Sequence, residues 1–395
     1  MKPLHPLEGH EDQRNAVARA FFSGRLPPAL LLHGPTGVGK QRFALWIGQL
    51  ILCANPTDDG PCGACKDCRM ALGLQHPDLH WYFPFKKPAS KGSKERDEEA
   101  LEETRIEILE ARREEPLHPT YSNELRGIYF GTIRALRREA SRRPALASRR
   151  LFIVGDAEEL VAQESAQEAA NSLLKTLEEP PPDSWIVLTS SEPGRLLPTI
   201  RSRSTAIHLP PLPRDRVRTF LERESGASKD EVEKAALLSG GAIGQALGYL
   251  PHEGEDGPLE KIRKDAFRLL RTAVAPSPAD RYARALAETP WGARGLRDLL
   301  TALEGWIRDL AAVSALHEVT LLNEDNRAWL ELTVQETGIH PARAARSIAR
   351  VERTRREADG NVNPQLLVSR LLRGLHDDLV PAPRSLSRAI SAEAR

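Results

Sequence analysis

The stretch Ala29-Leu-Leu-Leu-His-Gly-Pro-Thr-Gly-Val-Gly-Lys-Gln41 decides the fold of this chain. Its apolar first half predicts a buried strand, and its second half has the form G-x-x-x-x-G-K from Gly34 to Lys40. Apolar residues then recur at helical spacing at positions 43, 44, 47, 50 and 51, so that the loop opens a helix. A strand, a glycine-rich loop and a helix in this order predict a phosphate-binding loop in a domain of the α/β class.

The residues of this loop suit the binding of a nucleotide phosphate. Glycines allow the backbone to turn its N–H groups toward phosphate oxygens, the lysine adds a positive charge, and the following helix N-terminus adds its dipole. Position 41, however, carries glutamine where the motif normally has the serine or threonine hydroxyl that ligates Mg²⁺. The candidate nucleotide-binding residues are Gly34, Thr36, Gly37, Gly39, Lys40, Gln41 and, after a later strand, Asp156.

That later strand is predicted by the apolar run that ends before Gly155 and Asp156. ATPases of this class end it with Asp-Glu, where the aspartate holds Mg²⁺ and the glutamate polarises the attacking water. Because Gly155 occupies the first acidic position, the predicted magnesium site lacks a ligand on two sides. A second register, in which Asp156 faces the metal and Glu158 acts on water, stays open but places one residue between them.

All four cysteines lie within one short stretch, in the pattern Cys-x8-Cys-x2-Cys-x2-Cys. Thiolates at this spacing can converge on one tetrahedral ion, and four ligands with no open position indicate a structural zinc site. The alternatives are two disulfides, which a reducing cytosol disfavours, and unrelated free thiols, which the clustering disfavours. The predicted ligands are Cys53, Cys62, Cys65 and Cys68.

Composition limits the classes of protein that fit. The 395 residues are enough for two or three domains with cores of their own. No apolar run has the length of a membrane span, and the first residues lack the apolar core of a signal peptide, so we expect a cytoplasmic protein. The formal net charge is only +1, which means that any contact with nucleic acid requires a local basic patch.

Two segments outside these motifs carry unusual charge. Residues 84–121 are rich in Lys, Glu and Arg and poor in apolar residues, which predicts a solvated insertion, helical over residues 97–113. Beyond it, Arg134, Arg137 and Arg138 form a basic stripe on one face of a predicted helix. Such a stripe suits contact with a DNA backbone, but solvation or pairing with nearby glutamates explains the pattern equally well.

Three further motifs give the sequence a family resemblance. The motifs are Asn171-Ser-Leu-Leu-Lys-Thr-Leu-Glu-Glu-Pro-Pro181, Trp185-Ile-Val-Leu-Thr-Ser-Ser191 and Leu197-Pro-Thr-Ile-Arg-Ser-Arg-Ser204. In AAA+ clamp-loader subunits of bacterial DNA polymerase III, the first resembles a signature sequence, the second resembles the sensor-1 strand, and the third resembles the Ser-Arg-Cys motif. The cysteine pattern is similar to one in the same family, and Ser204 replaces the family's cysteine. The resemblance implies that Arg203 is an arginine finger, which reaches the γ-phosphate of ATP bound to a neighbouring subunit.

Departures from the gamma/tau motor subunits indicate the delta-prime type. Those motors carry Thr or Ser after the loop lysine, Asp-Glu after the later strand and an arginine in the lid, where this chain has Gln41, Gly155-Asp156 and Gly244. Because Arg203 is retained, the resemblance implies a stator that completes a neighbour's ATP site. On this interpretation the phosphate loop of this chain can bind ATP or ADP but does not hydrolyse ATP. A divergent gamma/tau-type motor ATPase is the alternative, and a zinc-dependent DNA-binding module outside replication is a third interpretation.

The resemblance also implies an architecture and a set of partners. We expect an α/β AAA+ core over residues 1–209 with a zinc knuckle at 53–68, a small helical lid over 210–250, an all-α collar domain over 251–380 and a disordered tail over 381–395. The implied partners are gamma/tau and delta subunits in a hetero-pentameric ring, the sliding clamp and primer-template DNA. The implied function is to help load that clamp, as part of the DNA polymerase III holoenzyme.

Overall fold

A computed structural model gives the fold and describes residues 4–90, 92–117, 126–160, 166–290, 292–315, 320–358, 360 and 362–380. The chain forms two compact units, of which the first ends at Leu250 and the second begins at Pro251. Within the ranges that the structure describes, no helix combines the length and the apolar character that crossing a bilayer requires. The predicted tail, residues 381–395, lies outside the described residues, as do the last four positions of the predicted insertion.

A parallel sheet of five strands forms the centre of the first unit. The strands are β1 (Ala29–His33), β2 (Leu79–Tyr82), β3 (Arg150–Val154), β4 (Ser184–Ser190) and β5 (Thr205–His208). Their order across the sheet is β2-β3-β4-β1-β5, and every neighbouring pair is parallel. This sheet confirms the predicted α/β class and is consistent with an AAA+ fold. The loops after β1, β3 and β4 leave the same edge of the sheet, so that the sequence motifs meet there.

The first seven helices of the first unit lie around this sheet, and three more form a separate bundle. They are α1 (Glu11–Phe22), α2 (Lys40–Leu52), α3 (Lys66–Leu72), α4 (Lys94–Glu114), α5 (Phe130–Ala140), α6 (Ala166–Glu178), α7 (Pro198–Arg201), α8 (Arg214–Glu224), α9 (Lys229–Leu238) and α10 (Ile243–Tyr249). Successive residues of β1 face opposite sides: Leu30 and Leu32 pack with Phe43 of α2, whereas Leu31 packs with Leu173 of α6. The three inner strands, β1, β3 and β4, are buried on both faces, which explains why they are rich in apolar residues, whereas the edge strand β5 is largely exposed.

The charged insertion is more than a solvated segment, because α4 packs against the edge of the sheet. Leu101 and Leu109 are buried in the core that lies on the α2 side of the sheet. The Arg105 guanidinium donates to the Trp81 carbonyl oxygen at 3.1 Å, and that of Arg112 lies 3.9 Å from the ring centre of Phe83. Arginine stems and guanidinium groups thus cover aromatic rings, and they do so in a segment whose composition predicts solvation.

A bundle of α8, α9 and α10 completes the first unit at residues 214–249. Its core contains Val217, Phe220, Val232 and Ala246, all of which are buried. The helix α9 begins with a capping box, in which Ser228 accepts from the backbone N–H of Glu231 and the Glu231 carboxylate accepts from that of Ser228. The bundle therefore has a hydrophobic core of its own, and because it coincides with the predicted lid, we refer to these three helices as the lid.

The second unit is helical throughout its described residues. Its α-helices are α11 (Pro258–Val274), α12 (Pro278–Glu288), α13 (Ala293–Ser314), α14 (Arg327–Thr337), α15 (Pro341–Ala358) and α16 (Pro364–Leu379). The indole of Trp306 is fully buried, stacks on Phe267 with ring centres 4.4 Å apart, and donates to the Arg263 carbonyl oxygen at 3.1 Å. The guanidinium of Arg263 is itself buried and paired with Glu260 and Asp325, so this buried charge has partners of opposite sign.

Candidate functional site

The phosphate loop connects β1 to α2, and its glycines occupy positions that a side chain cannot. Gly37 has φ +79°, and a Cβ atom built on it would lie 2.7 Å from the backbone nitrogen of Gln245 in the lid. Gly34 has φ +153°, and its Cβ atom would lie 2.2 Å from the carbonyl oxygen of Leu209. Both contacts are shorter than van der Waals distances, so the loop conformation requires glycine at both positions.

The loop lysine is held by oxygens of its own chain. The Lys40 ammonium group donates to the carbonyl oxygens of Gly34 and Pro35 at 2.9 and 2.8 Å, and to the Ser191 hydroxyl at 2.8 Å. Burial lowers the pKa of Lys40, and the nearby carboxylates of Asp156 and Glu158 oppose that shift. Since an ammonium group has three N–H donors, all three have partners in this state of the loop.

The two acidic residues after β3, Asp156 and Glu158, differ in burial and in their hydrogen-bond partners. Asp156 has φ +50°, and its N–H donates to the Thr189 hydroxyl at 3.0 Å. Glu158 is buried, and its carboxylate accepts from the N–H of Ser191 at 2.8 Å. Burial raises the pKa of Glu158, and the charge of Asp156 raises it further. Ser191 therefore links the acidic loop to Lys40, a role that only its position directly after β4 could have indicated.

The side chains of Gln41 and Trp81 occupy the space beside Gly155, the position at which ATPases of this class carry an acidic residue. A Cβ atom on Gly155 would lie 3.0 Å from the amide nitrogen of Gln41 and 3.3 Å from the indole nitrogen of Trp81. Two of the departures of this chain from the usual ATPase motifs, Gln41 and Gly155, are thus in contact with each other. Any side chain at position 155 would therefore require the Gln41 amide and the Trp81 indole to shift by a few tenths of an ångström.

This contact predicts that Gly155→Asp alone destabilises the first unit. Crowding against Gln41 and Trp81 should cost about 1–3 kcal/mol, as overpacking of a close-packed site does. That corresponds to a lower midpoint of thermal unfolding by about 2–4 °C per kcal/mol, measured by calorimetry. The double variant Gln41→Thr/Gly155→Asp is the matched control and should regain at least half of the loss. A single variant as stable as the parent chain would show that the site has room for the carboxylate.

The lid lies directly on the loop. The backbone N–H of Gly244, at the N-terminal end of α10, donates to the Gly37 carbonyl oxygen at 2.8 Å. A Cβ atom on Gly244 would lie 2.9 Å from the Gly37 Cα atom. A long side chain at position 244, such as the arginine that the motor subunits carry in the lid, therefore requires the lid to move away from the loop.

Arg203 stands apart from this loop, in the turn after α7, and its side chain reaches the surface. One guanidinium nitrogen pairs with the Glu178 carboxylate at 2.8 Å, and the other donates to the Thr199 carbonyl oxygen at 3.1 Å. Its side chain is 36% exposed, so the guanidinium group is accessible from outside the chain. Glu178 lies within the motif of residues 171–181, and the sequence alone did not indicate a role for this residue.

The four cysteines converge, as their spacing predicts. Their Sγ atoms all lie within 4.8 Å of one another, and the Cys53–Cys65 and Cys62–Cys68 pairs are 3.9 and 4.0 Å apart. Four thiolates around Zn²⁺, with Zn–S bonds of about 2.3 Å, have sulfur–sulfur distances of about 3.8 Å. Backbone N–H groups of Cys62, Cys65 and Cys68 donate to sulfurs of the preceding cysteines at 3.3–3.4 Å. The donor set and its geometry fit a tetrahedral zinc ion.

The electrostatics of the cysteine cluster differ from one thiol to another. Backbone hydrogen bonds, first from Ala64 and then from Cys65, lower the pKa of Cys62 to about 6. Burial raises the pKa of Cys53 and of Cys68. A metal ion that binds all four sulfurs must therefore displace protons from the buried pair, which makes its affinity depend on pH.

The predicted basic stripe lies on α5, where two of its arginines share a partner. Arg134 pairs with the Glu98 carboxylate of α4 at 2.8 Å, and Arg138 lies 3.9 Å from the same group. Arg137 points elsewhere and donates to the Ser172 hydroxyl of α6 at 3.3 Å. Pairing with a nearby glutamate, one of the two interpretations of this stripe, is thus present in the structure, and DNA contact stays a prediction.

The fold and the site together define a P-loop α/β protein with a helical lid and a cysteine cluster after the first βα unit. The model of the family described as "DNA polymerase III, delta subunit" matches residues 9–213, just over half of the chain. The chain belongs to this family, and the curated relatives named subunit delta' that it matches show that it is of the delta-prime type.

Curated relatives carry the corresponding names. The chain is 30% identical over 231 residues to DNA polymerase III subunit delta' of Escherichia coli K12, covering 58% of this chain and 57% of that protein. It is 32% identical over 255 residues to subunit delta' of Pseudomonas aeruginosa, covering 63% of each. It is 27% identical over 240 residues to subunit gamma/tau of Mycobacterium tuberculosis H37Rv, covering 59% of this chain and 34% of that protein. The chain thus spans less than two thirds of each relative's length.

Proposed function

We propose that this chain is a delta-prime-like subunit of the DNA polymerase III clamp loader, one that does not hydrolyse ATP and places Arg203 in the ATP site of a neighbouring subunit. The names of the relatives support a place among the subunits of DNA polymerase III. One observation carries the finer assignment: the magnesium side of the loop is filled by Gln41 against Gly155, while Arg203 reaches the surface.

The chemistry of phosphoryl transfer explains why these two features belong together. Hydrolysis needs a metal ion on the β- and γ-phosphates, a positioned water molecule and positive charge on the transition state. The chain lacks the usual hydroxyl at position 41 and the usual carboxylate at position 155. An arginine at the surface needs neither, because it acts on a γ-phosphate that another subunit holds. The loop itself can still accept ATP or ADP through backbone N–H groups, after Lys40 exchanges its present partners for phosphate oxygens.

Zinc has a structural role in this proposal. The ligands would be Cys53, Cys62, Cys65 and Cys68, and a closed set of four thiolates holds the ion without an open position for chemistry. Because Cys53 directly follows α2 and Cys68 lies in α3, the bound ion would fix the loop between these two helices.

The other parts of the chain receive roles from the same proposal. The unit beginning at Pro251 serves as the collar, through which the chain joins gamma/tau and delta subunits in a five-membered ring. The ring acts on the sliding clamp and primer-template DNA, and the α5 stripe is the candidate DNA contact of this subunit.

ATP hydrolysis by the purified chain, alone and with motor subunits, tests the proposal. We expect the chain alone to show no Mg²⁺-dependent turnover above that of its Lys40→Ala variant, because the metal side of the loop is filled. Addition to gamma/tau and delta subunits of the same organism should raise their clamp-dependent turnover at least several-fold. Robust turnover by the chain alone that Lys40→Ala abolishes would instead favour a divergent gamma/tau-type motor, which the retained lysine and the gamma/tau relatives leave as the second candidate.

A further inference from the structure

The arginine of the Ser-Arg-Ser turn is folded back onto its own chain. Its guanidinium group touches the Thr199 carbonyl oxygen, four residues earlier, at 3.1 Å, and the Ser202 hydroxyl at 3.5 Å. The other terminal nitrogen, Nη2, pairs at 2.8 Å with Glu178, the last residue of α6. Arg203 therefore contacts two separate elements of its own subunit, and its guanidinium group, although accessible at the surface, lies against the chain.

We infer that Glu178 is a positioning residue for Arg203, one that holds the finger in this folded-back orientation until a γ-phosphate replaces the carboxylate. The inference rests on the proposed role of Arg203 in trans. A guanidinium group binds carboxylate and phosphate with the same fork of N–H donors, so the two anions are alternative partners. A phosphate that approached while Glu178 stayed bound would also meet a second negative charge within a few ångströms.

The exposure of the pair sets the size of the effect. The side chains of Glu178 and Arg203 are 46% and 36% exposed, so water and salt weaken their attraction. Exposed ion pairs shift equilibria by about two- to fivefold. The ion pair is thus weak enough for a phosphate group to displace Glu178. It is still strong enough to lower the fraction of Arg203 side chains that extend away from their own subunit when no phosphate is bound.

The next residue provides a matched control. Glu179 has the same side chain as Glu178, one position along the chain, and is likewise exposed. The structure gives the ion pair with Arg203 to Glu178. Glu178→Gln and Glu179→Gln therefore remove the same charge from nearly the same place. Of the two, Glu178→Gln removes the ion pair with Arg203.

The experiment measures ATP hydrolysis by the assembled loader, without clamp or DNA, for the parent chain and each variant. Glu178→Gln is expected to raise the rate about two- to fivefold and Glu179→Gln to leave it unchanged. The increase should shrink between about 0.05 and 0.3 M salt, since salt screens the pair in the parent chain. Combined with Arg203→Ala, Glu178→Gln should have no further effect, which a general structural role would not produce.

The outcomes separate this inference from the proposed function. A normal or lower rate with Glu178→Gln, in a loader that Arg203→Ala inactivates, overturns the positioning role and leaves the trans finger in place. A normal rate with Arg203→Ala overturns both. If Glu178→Gln lowers the unfolding temperature of the chain, Glu178→Asp serves as the second variant, because its shorter carboxylate keeps the charge but retracts it from the guanidinium. A rate equal to that of the parent chain for this second variant counts against the inference.

Discussion

Arg203→Ala is expected to lower ATP hydrolysis by the assembled loader by about 10³-fold at the site that this chain completes, the lower end of what arginine fingers contribute in other NTPases. The guanidinium group would stabilise charge that develops on the transferred phosphoryl group, and alanine supplies no replacement. Arg203→Lys should retain little activity, because an ammonium group lacks the planar fork that binds two phosphate oxygens. Steady-state hydrolysis with saturating ATP measures this effect.

The control for this prediction is Arg201→Ala, which removes an exposed arginine at the end of α7, two residues before Arg203. Its loader should hydrolyse ATP at close to the parent rate. Each variant complex must first be shown by gel filtration to contain all subunits, because loss of assembly would imitate loss of chemistry. An intact Arg203→Ala complex with normal hydrolysis would contradict the role in trans.

Cys65→Ser is expected to remove zinc and to unfold the segment between α2 and α3. Elemental analysis of protein purified without oxygen should give one zinc per parent chain and far less in the variant. Apparent binding free energies of structural zinc reach about 10–16 kcal/mol in small zinc-binding peptides, so loss of one ligand should expose this loop to proteolysis. Chelation of the parent chain should have the same effect, and the chelator should act more readily at lower pH, because protons compete for the buried thiols of Cys53 and Cys68.

Lys66→Ser is the matched control, since it introduces the same residue next to Cys65 at an exposed position. It should retain one zinc and the parent pattern of proteolysis. A parent chain without metal, or a Cys65→Ser variant with a full equivalent of zinc, would rule out the four-thiolate site.

Local patterns in the sequence predicted the parts of the molecule that local interactions determine. The apolar run before the phosphate loop predicted a strand from Ala29 to His33, and β1 has these bounds. The spacing of the cysteines predicted that their sulfurs converge, because a short loop leaves them few other arrangements. Strand, loop and helix followed in the predicted order for the same reason: each is specified by consecutive residues.

Contacts between distant parts of the chain could not be predicted in this way. Gln41 and Gly155 each looked like the separate loss of a metal ligand, and only the fold shows that one side chain fills the space left by the other. The partner of Arg203 was likewise hidden, because Glu178 belongs to another helix. The prediction that α4 is part of a solvated insertion was wrong, because it rested on the charged composition of the segment. Arg105 and Arg112 contribute to that composition, but in the structure they cover aromatic rings.

The contact between Gln41 and Gly155 couples these two positions in any attempt to redesign the loop. An aspartate at position 155 would crowd the Gln41 amide, so this change is best accommodated when a smaller residue replaces the glutamine as well. We therefore expect metal ligands to be introduced into this loop only as a pair, and a screen of single substitutions would miss the combination.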